Sequence, residues 1–160
     1  MTENIDKKQQ DFYTVRGYSL LKQEEKLLTP SMEDYLEMAY RLTLEKGYTR
    51  IGDLAEALHV QPSSASKMVQ KLTDLGYVRF EKYGLIQLTT KGNDLGEYLL
   101  KRHQIIEKLL IQIGVSDNLL EQTEKIEHNL SENTLEKIEN LVQFLTGNQN
   151  WLLFRKTKVK

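Results

Sequence analysis

Cysteine is missing from all 160 residues, which removes disulfides, thiolate zinc sites and cysteine nucleophiles together and makes a reducing compartment the natural setting. Long apolar runs are missing too: nothing approaches the ~20 consecutive apolar residues that a membrane span requires. The opening stretch MTENIDKKQQ lacks the basic-then-apolar order of a secretion signal. The expected location is the cytoplasm, with no membrane partner. An excess of charge of either sign is also lacking, since 22 Lys and Arg face 23 Asp and Glu for a formal net charge of -1. No global field draws the chain to phosphate, so any nucleic-acid contact must rest on local basic residues and helix N-termini. There are no internal repeats and no low-complexity segments. At this length two small domains are expected.

What is present is mostly helical patterning. Residues 1–28 mix charge with scattered aromatics and read as an N-terminal arm. Thr29-Pro30-Ser31 combines a hydroxyl cap with a proline where its missing N–H does no harm. A helix follows over about 31–45, with Met32, Tyr35, Leu36, Ala39, Tyr40 and Leu42 on its apolar face and Gly47 at its end. Two short helical patterns, 51–58 and 63–75, flank the turn His59-Val60-Gln61-Pro62, which is helix-turn-helix spacing. After Gly76 the period shifts to that of a two-stranded ribbon, Tyr77 to Phe80 and Leu85 to Leu88, turning near Tyr83-Gly84. A hairpin in that position is a wing. Beyond Thr89 a long helix runs to Gly114 with Leu95, Leu99, Ile106 and Leu110 on one stripe. Another starts after Ser116 and is expected to bury Leu119, Thr123, Ile126 and Leu130. A last one starts near Ser131 and carries Leu135, Ile138, Leu141, Val142 and Leu145. That stripe exceeds what a small domain can cover, so a homodimer is expected. The fold class is mainly α: a winged helix-turn-helix domain at 29–90 and an all-helical dimerisation domain at 91–146. The tail 147–160 has no assigned role.

In a helix-turn-helix the second helix lies in the major groove, so its first turns must be small or hydrogen-bonding and partly basic. Ser63, Ser64, Ala65, Ser66 and Lys67 meet that need, and Lys71 follows Lys67 by one turn. Met68, Val69 and Leu72 face inward. On the wing, Arg79, Lys82 and Tyr83 suit a sugar-phosphate backbone or minor-groove edge. The expected partner is double-stranded operator DNA.

A second constellation is acidic. Asp34 and Glu37 stand three apart on the first helix, and Glu124, Glu127 and His128 occupy i, i+3 and i+4 on another, so each set shares one helical face. His103 interrupts the apolar stripe of the long helix between Leu99 and Ile106. Two carboxylates and an imidazole on one face resist dry packing unless a cation or base neutralises them. Taken singly, Asp34 reads equally well as a capping-box partner of Ser31, Glu37 as solvated surface and His103 as a satisfied core histidine. Spacing alone leaves these readings and a metal site both open.

The segments TPSMEDYLEMAY at 29–40, AEALHVQPSSASKMVQKL at 55–72, EKYGLIQLTTKG at 81–92 and KIEHNLS at 125–131 resemble the manganese-dependent branch of the diphtheria-toxin-repressor family, the manganese transport regulators of bacteria. The likeness extends over about 29–146. It implies that Asp34, Glu37, His103, Glu124, Glu127 and His128 bind two metal ions per subunit with a carboxylate bridging. It also implies that Ser63, Ser64, Ser66 and Lys67 fall where the family reads its operator. The arm has no counterpart in compact members of the family, and the chain stops short of those that append an SH3-like third domain. Asn129 stands where close relatives often repeat histidine. In the iron-responsive branch, methionine and cysteine occupy the places of Asp34 and Glu124.

Hard carboxylate oxygens with imidazole suit Mn2+, the weakest ion of the Irving–Williams order, which must be chosen by geometry and ligand type. Fe2+, Co2+, Zn2+ and Cd2+ are alternative occupants. The function expected is a non-enzymatic, Mn2+-responsive repressor, controlling manganese uptake genes and taking no small organic substrate. Without metal, its carboxylates should repel and leave the first helix loosely held. The rivals are an iron-responsive repressor of the same family, a di-metal carboxylate enzyme and a metal-free winged-helix sensor of organic ligands.

Overall fold

A computed structural model describes residues 28–158. The expected N-terminal arm lies outside the described residues except for Leu28, which is buried in the core. Helix α1, Pro30–Lys46, begins where Thr29 Oγ1 accepts the Met32 amide and ends at Gly47 with φ 74. Because Thr29 rather than Ser31 is the cap, Asp34 lies beyond the capping-box position and is left to other work. Strand β1 (Thr49–Arg50) leads into α2 (Ile51–Ala57), and α3 spans Pro62–Asp74. The turn between α2 and α3 passes through His59 at φ 53.

Strands β2 (Val78–Phe80) and β3 (Leu85–Leu88) pair antiparallel, with Val78 opposite Leu88 and Phe80 opposite Ile86. The expected wing is therefore present, but β1 adds a third strand by pairing Thr49 with Ile86. Two residues are too few to show an alternation, which is why the sequence suggested only two strands. Helix α4 (Thr90–Gln112) crosses from the winged unit into the helical one, followed by α5 (Leu119–Glu127), α6 (Glu132–Gly147) and α7 (Gln149–Lys158).

The winged unit buries Leu36, Leu54, Leu72, Ile86 and Leu99 around α1, and the helical unit buries Ile105, Ile106, Leu110 and Leu135. Tyr98 packs against both clusters. Two expected core positions are exposed, Ile126 at 37% and Leu141 at 47%. Helix α5 buries Thr123 as expected and turns Glu127 inward in place of Ile126, both at 0%, while Leu119 packs against the core. The tail is helical: α7 docks on the end of α4 through Trp151 Nε1 donating to Gln112 Oε1 and Arg155 Nη2 donating to the Ile111 carbonyl.

Helices α1 and α4 approach closely because α4 carries glycine at the crossing. A Cβ on Gly96 would stand 2.6 Å from Tyr40 Cβ, and one on Gly92 would stand 1.9 Å from the Tyr77 carbonyl oxygen. This crossing brings α1 against the helix that bears His103. Gly96→Ala is expected to destabilise the protein by about 1–3 kcal/mol through overpacking, despite alanine's better helix propensity. A denaturant melt checks this, and an unchanged midpoint would show that the crossing has room.

Candidate metal centre and DNA-reading helix

The six residues singled out in the sequence converge from three helices. Asp34 and Glu37 come from α1, His103 from α4, Glu124 and Glu127 from α5, and His128 from its C-cap. Asp34, Glu124, Glu127 and His128 each offer one donor atom, and these atoms all lie within 4.8 Å of one another. Glu37, His103 and Glu127 form a second such group. Glu127 belongs to both, one carboxylate with an oxygen for each side.

Glu127 is fully buried, and neither of its oxygens accepts a hydrogen bond from a described residue. A desolvated carboxylate in that state costs several kcal/mol unless a cation meets it. His103 Nδ1 lies 3.2 Å from Glu127 Oε2 and 3.3 Å from Glu124 Oε1, close enough for charge attraction but out of line for a formed hydrogen bond. The carboxylates of Glu124 and then Glu127 push the His103 pKa up to about 10. His103 in turn holds Glu124 below the ordinary carboxylate range. For His128 burial pulls downward, but Asp34 and Glu33 outweigh it and raise the pKa to about 9. His128 Nε2 stands 2.8 Å from Asp34 Oδ1.

Burial raises Glu37 above its usual value against the opposing pull of Arg41, whose Nε donates to Glu37 Oε1 at 3.0 Å. Two imidazoles and two arginines thus stand beside the carboxylates that were expected to repel one another. Sequence reasoning missed three members of this network: Arg41, Arg102 and Glu33. Arg102 is 1% exposed, and its Nη2 donates to Glu33 Oε2 at 2.8 Å. Glu33 Oε2 also lies 2.8 Å from His128 Nδ1. The available signal was a charged residue adjoining a ligand candidate on each helix. Beside Asp34, Glu37 and Glu124 opens a cleft of about 390 Å³, also lined by Met38, Arg41, Ala57, Leu58 and Leu120. It leads from solvent to the donor atoms.

The donor set fits divalent cations, with the buried Glu127 standing between two groups of donors, Asp34, Glu124 and His128 on one side and Glu37 and His103 on the other. On α3, Ser63, Ser64, Ser66, Lys67 and Lys71 are all exposed, while Ala65, Val69 and Leu72 are buried. Tyr83 stands 90% exposed at the wing tip with φ 67, and Arg79 is exposed on β2. The side chain of Lys82 lies outside what the structure describes. The helix start at Gln61 has no side-chain cap, and the amides of Ser64 and Ala65 turn back onto the Gln61 carbonyl.

Comparison with known proteins agrees with this layout. The iron dependent repressor N-terminal DNA binding domain matches residues 27–85, and the iron dependent repressor metal binding and dimerisation domain matches residues 89–150. The HTH-type transcriptional regulator MntR of Geobacillus kaustophilus (strain HTA426) is 49% identical over 125 residues, covering 78% of this chain and 89% of the relative. That of Bacillus subtilis (strain 168) is 49% identical over 119 residues, covering 74% of this chain and 84% of the relative. Among solved structures, the manganese regulator SloR is similar with a TM-score of 0.65 at 29% identity over 73% of this chain, which spans 55% of the SloR chain. T. acidophilum IdeR is similar with a TM-score of 0.63 at 27% identity over 74% of this chain and 55% of its own. With its helix-turn-helix unit, its helical unit and relatives at this identity over most of the chain, the protein belongs to the iron-dependent, or diphtheria-toxin, repressor family, in its MntR branch.

Proposed function

We propose that this chain senses Mn2+ through two ions held between its reader and helical units, and so represses transcription of manganese uptake genes from operator DNA. Membership of the family makes it a metal-dependent, DNA-binding repressor; the ion, its ligands and the targets are the proposal. The observation that carries the metal reading is Glu127, a carboxylate at zero exposure with both oxygens unbonded and facing two clusters of donors. Hard oxygens at Asp34 and Glu124 favour Mn2+ over softer competitors, and MntR and SloR are named as manganese or MntR-type regulators. Residues Leu141 and Phe144 on α6, with Leu153 and Phe154 on α7, leave apolar surface exposed, which supports pairing of two copies. The domains proposed follow the same division, 29–90 for the reader and 91–146 for metal binding and dimerisation.

A bound ion supplies the positive charge that the two imidazolium protons otherwise carry. Asp34 and Glu37 ride on α1, whose apolar side shares a core with Val69 and Leu72 of α3. Glu124, Glu127 and His128 belong to α5, so the ligand set joins the reading helix's support to the helical unit. Ser63, Ser64, Ser66, Lys67 and Lys71 then meet the groove as one rigid face, with Tyr83, Arg79 and Lys82 on the wing beside the backbone. A di-metal carboxylate enzyme would be expected to display paired Glu-x-x-His motifs on helices; here α5 carries only a near match, the one full run, Glu56 to His59, ends outside α2 with both Glu56 and His59 exposed, and the exposed hydroxyl-rich start of α3 is what a reader needs.

Three outcomes test this reading. Each histidine must give up a proton to present a ring nitrogen to a metal. With pKa values of about 10 and about 9, filling both sites at about pH 7.5 should release roughly two protons per chain, and affinity should rise with pH until about 9–10. The same raised values stabilise the metal-free fold fully below the unfolded histidine value of about 6.5, and that contribution fades as pH climbs to about 9–10. Mn2+ calorimetry in buffers of differing ionisation heat reads the proton count; a count near zero would remove the histidines from the ligand set.

Asp34→Met replaces a charged oxygen with a thioether, which should weaken Mn2+ and relatively favour Fe2+ and Co2+. DNA shifts titrated with the three ions in parallel would show it, and an unaltered ranking would place Asp34 outside the site.

Lys67→Ala should weaken operator binding by ~1–3 kcal/mol without changing Mn2+ affinity. Equal DNA affinity at moderate salt would move the reading surface off the start of α3.

A further inference from the structure

The His128 ring has two nitrogens, and the fold treats them differently. Nε2 faces the donor cluster, where it stands 2.8 Å from Asp34 Oδ1 and 3.9 Å from both Glu124 Oε2 and Glu127 Oε1. Nδ1 faces away, hydrogen-bonded at 2.8 Å to Glu33 Oε2 and 3.1 Å from Arg102 Nη2. A carboxylate only accepts, so contact with Glu33 keeps a proton on Nδ1, and when ligation releases the Nε2 proton that faces Asp34, the freed Nε2 lone pair points into the cluster. Contact with Arg102 alone would do the reverse: a guanidinium only donates, Nδ1 would accept, and the proton would sit on Nε2, where it blocks ligation. Which tautomer prevails thus depends on which of the two neighbours the ring obeys. Arg102 is committed to Glu33 through Nη2 at 2.8 Å, and both side chains are nearly dry at 2% and 8% exposure. The pair spans α1 and α4, so the carboxylate is pinned beside the ring by a residue adjacent to His103.

We infer that Glu33 and Arg102, neither of which is placed in the ligand set, act as positioning residues that hold His128 in the tautomer and orientation needed to ligate through Nε2. This rests on the metal reading of the site and adds a specificity to it: the pair serves the ion of Asp34, Glu124, Glu127 and His128, and not the one of Glu37, His103 and Glu127. Partners of this kind typically govern metal affinity by 10–100-fold. A buried ion pair that merely stapled α1 to α4 would have no such preference between sites.

The test uses the full chain as wild type, as Glu33→Gln, and as the double variant Glu33→Gln/Arg102→Met. Glutamine keeps an acceptor and the shape of Glu33, and the double variant leaves no buried charge alone, which protects the fold. With histidine labelled by 15N and the protein loaded with 113Cd2+, wild-type His128 is expected to show a protonated Nδ1 and a cadmium coupling on Nε2. The double variant should lose that coupling or share it between the two nitrogens, while His103 keeps its own signature. Mn2+ calorimetry should show the His128-containing site weakened by roughly 10–100-fold in the double variant and less in Glu33→Gln, with the other site changed only severalfold. Unchanged coupling and affinity in the double variant would overturn the inference, as would equal weakening of both sites, which is the mark of a staple. Failure of the wild type to bind Mn2+ saturably is a different result: it overturns the metal reading itself, and this inference with it.

Discussion

Everything about the site depends on one carboxylate being taken out of water. Glu127 is fully buried on α5 with no hydrogen bond to either oxygen among the described residues, and burying such a group unaided is among the most costly things a small domain can do. The surrounding residues divide that charge between two sides. His103 approaches one oxygen from α4, and His128 stands beyond the other. Each ring is raised in pKa by the carboxylates around it. In the absence of a metal, protons are the local cations. A divalent ion held by the same donors would compete for those positions, which would make metal occupancy and histidine protonation two forms of one equilibrium.

How far the sequence revealed this can be judged residue by residue. The α5 set was legible because 3.6 residues per turn put Glu124, Glu127 and His128 on one face, and His103 because it broke an apolar stripe. Asp34 and Glu37 showed the same spacing, and the structure removes the capping alternative by giving the cap to Thr29. Glu33 and Arg102 were not legible. Their hydrogen bond joins positions 69 residues apart, and each alone looks like an ordinary surface charge on an amphipathic helix. The helix-turn-helix and wing were read from period and turn chemistry. The short β1 and the helical tail were not, since two residues carry no period and α7 is anchored by bonds to Gln112 and Ile111 that lie far off in sequence.

The misjudged core positions have a common cause. Ile126 and Leu141 were expected inside because apolar periodicity was taken to mark the buried face. On α5 Glu127 takes the inward place next to Thr123 and Ile126 is turned outward, while Leu119 still packs on the core. On α6, Leu141 and Phe144 are exposed while Leu135 and Val142 are buried, so the helix has more apolar surface than its own chain covers. A polar site at the centre of the helical unit and an apolar surplus on its outside are linked. The buried polar residues take places in the helical unit that apolar side chains would otherwise fill, and the exposed apolar surface of α6 is of the kind another copy can cover.

The same economy of position explains how a chain with net charge -1 can still address DNA. Its cations are not spread evenly but are sorted by depth: Arg102 is buried with Glu33, Arg41 lies at the cleft beside Glu37, and Lys67 and Lys71 are exposed on α3. The first two are engaged by acids and contribute little field outward. The exposed lysines sit on a helix whose start is uncapped and whose inner face, Ala65, Val69 and Leu72, is fixed in the core built around α1. Helix α1 therefore faces two ways, carrying Asp34 and Glu37 toward the donor cluster and sharing a core with Val69 and Leu72 of α3. Its contact with α4 at Tyr40 and Gly96 leaves no room for a side chain, so the donor cluster and the seat of α3 are built on one tightly packed crossing.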